Sequence, residues 1–167
     1  MRLWPLLLLS ASAFVHQNNK PFKKNRLQAV PRDEAIERIQ RQFADLSVAE
    51  VQRQLVQKGF DFQRETTGST LYDDSNGMIT TSYQQVPGCI ATVHVRTILK
   101  DDTIQRIQGT ADAHVSRGLL AVVAELLAGT LVAELLETPI QAQELGLSAA
   151  LSRGRNDGFA SLIATIQ

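Results

Sequence analysis

The chain has 167 residues, 44% of them hydrophobic, with one cysteine and a formal net charge of zero. That length suits one domain with a short appendage, large enough to bury a core without disulfides or metals. A single cysteine excludes an intrachain disulfide, and three scattered histidines (His16, His94 and His114) supply no zinc-type ligand cluster. Charge is uneven: residues 1–32 hold six basic groups and no acid, leaving 11 basic against 17 acidic groups beyond them, a net of −6 that argues against nucleic acid as a partner of the folded part.

The N-terminus opens with Arg2, a short apolar run from Leu3 to Leu9, and small residues Ala11 and Ala13 in the spacing of a cleavage site. The run falls short of the roughly 20 apolar residues that span a bilayer, so no stable membrane anchor is expected. A basic, acid-free tract from Phe14 to Arg32 follows. Phe14 after Ala11-Ser12-Ala13, then basic residues, resembles the two-part presequence of algae with complex plastids. That resemblance implies a signal peptide of about 1–13, a transit peptide of about 14–32 and a destination in the plastid stroma; a plain secretory signal and a misplaced start codon are the other readings. The folded domain is expected over 33–167.

Asp33 to Gln57 is polar with helical rhythm: Ile36, Ile39 and Phe43 form one apolar stripe, and Val48, Val51 and Leu55 a second. Ser47 and Glu50 fit a capping box, so two helices are predicted with a break at Leu46-Ser47 and a stop at Gly59. Asp61 to Asn76 reads as a loop or irregular edge. Met78 to Val86 is predicted as a strand, Ala91 to Leu99 as a second, and Thr103 to Gln108 as a third that ends at Gly109, with Lys100-Asp101-Asp102 as a turn. Ala113 to Ala128 is apolar nearly all round and predicts a buried helix capped by Asp112 and stopped at Gly129. Thr130 to Glu137 predicts a short helix. Another follows from Thr138-Pro139, with Gln141 in its cap, and ends at Gly146. Ser148 to Leu151 predicts a turn of helix. Asn156 or Asp157 is expected to cap a final helix that turns Phe159, Leu162, Ile163 and Ile166 inward. The order predicts an α+β domain, a three-stranded antiparallel sheet covered by helices on one face.

Phosphate loops, the nucleophile elbow, zinc-protease motifs and paired cysteines are all missing from the sequence. Cys89 differs through its setting, directly after Pro87-Gly88 in a turn between two strands. A thiol there is either a small buried apolar group or one presented for reaction. His94 lies close enough in sequence to be weighed as its base, although a half-exposed strand histidine is the simpler reading.

Three blocks favour presentation. Gly88-Cys89-Ile90-Ala91-Thr92-Val93-His94-Val95 resembles the G-C-Q-S-Q-V-W motif of the SufE sulfur-acceptor proteins. Gln108 to Val123 resembles their G-D-S-D-A-x-I-V-K-G-L-I-A-V-V stretch. Gly146-Leu147-Ser148 with Leu151 to Phe159 resembles their L-x-P-S-R-x-x-G-L. The resemblance covers about 86–167 in the family's order. It implies an α+β fold and an accessory sulfurtransfer protein, not an enzyme in its own right, with no cofactor of its own. Cys89 would be the persulfide acceptor, a PLP-dependent cysteine desulfurase the donor and stimulated partner, and iron–sulfur scaffold proteins the recipients. Asp112 matches the second acid of the family's second block, and is either a plain N-cap or a group acting near the cysteine loop. Arg155 matches the arginine of the third block, either contacting a partner or steadying the loop, or simply a surface residue. Arg117 stands where a basic residue is usual. His94 replaces the usual Trp, Ile90-Ala91-Thr92 replaces Q-S-Q, and Thr110 replaces an acid. These departures support an alternative, a regulatory module that binds the desulfurase without carrying sulfur. Either a monomer or a homodimer is compatible with the sequence.

Overall fold

The structure, a computed structural model, describes residues 30–67 and 77–167. Residues 1–29, which hold most of the expected presequence, and residues 68–76 of the loop expected over 61–76 lie outside the described residues; residues 61–67 of that expected loop are helical instead.

Helix α1 (Arg32–Phe43) buries the predicted stripe of Ile36, Ile39 and Phe43, with Ala35 beside it. Asp33 and Glu34 occupy its first turn, where negative charge complements the helix dipole. The packed unit begins earlier than the boundary read at residue 33. The Val30 N–H donates to Gly129 O (3.1 Å), and Arg32 is tied to the C-terminal half of the chain. Helix α2 (Val48–Thr67) starts as expected at the Ser47 capping box. The Ser47 N–H donates to Glu50 Oε2 (2.9 Å), and the Glu50 N–H donates back to Ser47 Oγ (3.4 Å). The Ser47 hydroxyl also donates to Glu50 Oε2 (2.6 Å), and this bond, with the one from the Ser47 N–H, holds the Glu50 carboxyl below its ordinary range. Val51 and Leu55 are buried, but Val48 is exposed and does not join their stripe.

Gly59 does not stop α2. The helix continues about two turns past the expected end because Gly59 faces helix α3 (His114–Leu127) at contact distance. A Cβ on Gly59 would lie 2.9 Å from the Gly118 nitrogen, and one on Gly118 would lie 2.0 Å from the Leu55 carbonyl oxygen. The two glycines let the backbones of α2 and α3 approach more closely than any side chain permits.

Strands β1 (Ile79–Thr80) and β2 (Gln84–Gln85) replace the single strand expected over 78–86. Both pair antiparallel with the same edge of β3 (Val93–Lys100): Thr80 opposite Ile98 and Gln84 opposite Val95. The pairing slips by one residue between them, a bulge that breaks the ladder. Tyr83 leaves the sheet there and lies under the Arg96 guanidinium, 4.6 Å from its ring centre. β4 (Thr103–Ala111) pairs with the other edge of β3. Asp101 and Asp102 both adopt positive φ (50° and 55°), which gives the two-residue hairpin turn its primed geometry. β4 runs through Gly109 because a side chain there would strike the His94 carbonyl oxygen and Leu120 of α3.

The sheet face bearing Val93, Val95, Ile107 and Ala111 packs into one core with α3 and the last helix, α5 (Arg153–Ile166). α3 is buried nearly all round, as its composition predicted, because α2 covers one side and the sheet the other. Helix α4 (Val132–Glu137) comes next. Thr138-Pro139 does not start the following helix. A 3-10 turn over Ala142–Leu145 is capped by Gln141 and Glu144 and closed by Gly146 at φ 71°. A second 3-10 turn covers Ser148–Ala150, and α5 begins behind Ser152. Asn156 therefore does not cap α5; its amide donates to Ser148 O (3.0 Å) and Leu151 O (3.2 Å), which fixes the turn ahead of the helix. The α+β architecture stands, with the first strand divided.

Candidate functional site

The site is built on the connection between β2 and β3. The Val86 N–H donates to Val93 O (2.9 Å) and closes a six-residue loop over 87–92. Pro87 stiffens its entrance, and Gly88 at φ +70° turns the chain as an L side chain rarely does. Cys89 follows at the tip, half-buried, against the first turns of α5. Its thiol donates to the carbonyl oxygen of Gly158 (Sγ–O 3.3 Å).

The thiol lies at the rim of a recess floored by Val93, Leu119, Phe159 and Leu162, with Ile90 and Arg155 at its edge. The floor is apolar, so the environment disfavours the thiolate and burial pushes the Cys89 thiol above its ordinary value. Gly158 makes the close seating possible. A Cβ there would stand 3.0 Å from Sγ.

Asp112 does not cap α3. Ala113 holds that position, in extended conformation and without a side-chain bond to the helix. The Asp112 carboxylate instead accepts the Thr92 N–H (3.1 Å), while the Asp112 N–H donates to Thr92 O (3.3 Å). This two-way clasp anchors the C-terminal end of the cysteine loop to the junction of β4 and α3. Arg117 braces the same junction. Its Nε and Nη2 donate to Ala111 O (3.2 and 2.8 Å), and its Nη1 donates to Gln63 Oε1 (2.5 Å). Arg117 does not line the recess, although its neighbour Ser116 does. Arg155 is exposed and stands at the rim.

His94 is not brought to the thiol. Val93 and Val95 point into the core, so His94 between them points to the opposite face of the sheet. The Cys89 recess lies on the core side, so His94 cannot act as its base in this arrangement. The structure thus gathers Cys89, Asp112 (through Thr92) and Arg155, with Arg117 bracing from behind. Two participants escaped the sequence reading: the Thr92 backbone and Gly158. Thr92 offered no signal, because its contribution is main-chain. Gly158 stood in a recognised motif, but its proximity to the thiol depends on how α5 docks.

Among the described residues, no group of three or more His, Cys, Asp or Glu is placed to hold a metal ion, and no helix is long and apolar enough to cross a membrane. What the arrangement offers chemically is a single thiol, stored neutral, on a loop anchored at both ends.

Comparison with known proteins covers the same region. Residues 69–167 match the SufE family, the Fe-S metabolism associated domain. The chain is 32% identical over 88 residues to SufE-like protein 1, chloroplastic/mitochondrial, of Arabidopsis thaliana, covering 52% of this chain and 24% of that protein. It is 31% identical over 84 residues to an uncharacterised SufE-like protein of Synechocystis, covering 50% of this chain and 52% of that one. The chain therefore spans about a quarter and about half of these two relatives. With the family matched over the cysteine loop, the β3–β4 hairpin and every element after it, the chain belongs to the SufE family of domains associated with Fe-S metabolism.

Proposed function

We propose that this chain is a sulfur acceptor of iron–sulfur cluster assembly, with Cys89 as the atom that carries the sulfur. The observation that carries the reading is the placement of the only cysteine. It sits on a turn, at the rim of an apolar recess, within a SufE-family domain. The Cys89 thiolate attacks the terminal sulfur of a persulfide on a PLP-dependent cysteine desulfurase. The donor's S–S bond breaks as the new one forms; Cys89 becomes a persulfide, and the donor cysteine leaves as a thiolate. No net oxidation occurs, and one proton is lost from Cys89 before attack. The neutral resting thiol fits a carrier whose activation depends on its partner. A thiolate of a cluster scaffold then attacks the outer sulfur, Cys89 leaves as a thiolate, and the chain stimulates the desulfurase by clearing its sulfur. Asp112 and Arg117 position the loop, and Arg155 stands where it can meet the partner. The basic N-terminal tract and the chloroplastic/mitochondrial name of the Arabidopsis relative support a plastid setting.

The protonated, half-buried thiol also favours one other reading, a regulatory module that binds the desulfurase without accepting sulfur. Desulfurase turnover measured with the native chain and with Cys89→Ser separates the two. Stimulation lost in Cys89→Ser supports the acceptor; stimulation retained in full assigns the regulatory role.

A further inference from the structure

The basic N-terminal tract meets the folded domain at Val30, Pro31 and Arg32. Residues 1–29 hold Arg2, Lys20, Lys23, Lys24 and Arg26 and no acid, whereas the next basic group, Arg32, belongs to the fold. Val30 is half-buried against the core, and its N–H donates to Gly129 O (3.1 Å). Gly129 is held in turn, its own N–H donating to Ile104 O of β4 (2.7 Å). Pro31 stands at the entrance to α1, where its fixed ring is suited, and its carbonyl accepts the Ala35 N–H (3.1 Å). Arg32 then closes on three later segments. Its N–H donates to Glu134 of α4, its Nε to Thr138 O and its Nη2 to both carboxylate oxygens of Glu144. An endopeptidase needs its substrate strand extended and free of partners over several residues. A bond inside a packed, hydrogen-bonded segment is therefore cut only when that segment opens. A cut after Arg32, where the sequence changes from basic to acidic, would require Val30 and Arg32 to leave Gly129, Glu134, Thr138 and Glu144 together. A cut ahead of Val30 disturbs none of these bonds.

We propose that Val30, Pro31 and Arg32 form a clasp that sets the limit of N-terminal maturation: the endopeptidase that removes the basic tract hydrolyses a peptide bond ahead of Val30, and Arg32 stays with the domain. This rests on the plastid part of the proposed function and adds the place of the cut. The step is simple hydrolysis. The amide C–N bond breaks, water gives its hydroxyl to the new carboxyl end and its proton to the new amino end, and nothing is oxidised. The leader is thereby shorter than the charge pattern suggests, and the domain keeps the arginine that ties its first helix to Glu144.

Proteinase K, added in small amount to the native full chain, tests the clasp, with the N-terminus of the surviving product read by intact mass. The resistant product should begin at or before Val30. Arg32→Ala removes the side-chain half of the clasp and should speed cleavage within Val30–Ile36 about tenfold. Arg32→Lys keeps the charge but cannot bridge Glu144 and Thr138 as a planar fork, so it should shift the rate in the same direction, and it decides if Arg32→Ala does not fold. A resistant product of the native chain that begins beyond Val30, or a folded variant cut at the wild-type rate, overturns the clasp. The same full chain, produced in an alga with complex plastids and recovered from its organelles, reports the maturation cut by intact mass. A product that has lost the basic tract and still begins at or before Val30 bears the proposal out; one that begins at Pro31 or later overturns it. Proteinase K needs no plastid, so the two claims fail separately. A chain recovered from the cells at full length, with the clasp resistant to proteinase K, removes the plastid reading and its cut and leaves the clasp standing.

Discussion

Cys89 must ionise to react, yet its resting surroundings oppose ionisation. Burial over Val93, Leu119, Phe159 and Leu162 raises the thiol above its ordinary value, and the Gly158 carbonyl accepts its proton without offering a countercharge. The folded state therefore holds the proton more tightly than the unfolded chain. By linkage, this contribution to stability is fully present below the unfolded thiol pKa of about 8.5 and is lost as pH rises through the higher folded value. Alkylation of the native chain should accordingly reach its half-maximal rate at a higher pH than a free cysteine peptide, with chemical unfolding abolishing the difference. A native profile that overlays the peptide would contradict this account of the recess. The sequence disclosed Cys89, Asp112, Arg117 and Arg155 as residues to watch, but not what Asp112 does. A carboxylate just ahead of a helix reads as a cap; only the pairing of β3 with β4 places Thr92 within its reach.

Helix and strand identity followed from local pattern, whereas the glycines misled wherever a tertiary partner reassigned them. Gly146 stops its turn at positive φ, as its chemistry suggests. Gly59 and Gly109 do not stop their elements, because each lies opposite a neighbour that no local rule can foresee: Gly118 for one, Leu120 for the other. The single strand predicted over 78–86 divides for a similar reason. Its residues suit a strand, but a one-residue slip against β3 interrupts the ladder. The contact of α2 with α3 makes a quantitative test. Gly118→Ala should gain about 1 kcal/mol in helix propensity. It should lose more to the collision with the Leu55 backbone at 2.0 Å, for a net destabilisation of about 3 kcal/mol. Denaturant unfolding of the variant measures this as a lowered midpoint; an unchanged or raised midpoint would show that the helices can separate cheaply.

At the scale of the whole molecule, the N-terminal helix is tied to later parts of the chain by polar side chains, Arg38 and Gln42 to Glu125, Gln40 to Glu144 O, and Arg32 at its start. Arg32 lies four residues before the predicted helical stripe begins, at the end of the expected presequence, and its sequence neighbours, the acid Asp33 among them, give no sign of a distant partner. In the fold, its Nη2 donates to both carboxylate oxygens of Glu144 (2.7 and 2.8 Å), its Nε donates to Thr138 O (3.0 Å), and its backbone N–H donates to Glu134 Oε1 (2.9 Å). The Gln141 N–H and Arg32 together hold the Glu144 carboxyl below its ordinary range. With its side chain 13% exposed, Arg32 is shielded from water more than a typical surface ion-pair partner. Arg32→Ala should cost about 2 kcal/mol at neutral pH. The loss should shrink as pH falls below the unfolded carboxylate value of about 4.3 and Glu144 takes up its proton. Unfolding free energies at neutral and acidic pH check both statements, and a penalty that does not diminish in acid would remove the ion pair from the explanation.

The central claim is that sulfur comes to rest on Cys89, and the intact mass of the chain after turnover reports that directly. The protein should be incubated with a plastid cysteine desulfurase and cysteine, separated without reductant, and weighed. The native chain is expected to gain the mass of one sulfur atom, lose it on treatment with dithiothreitol, and show no gain as Cys89→Ser. A native chain that keeps its original mass while the desulfurase is turning over would contradict the account.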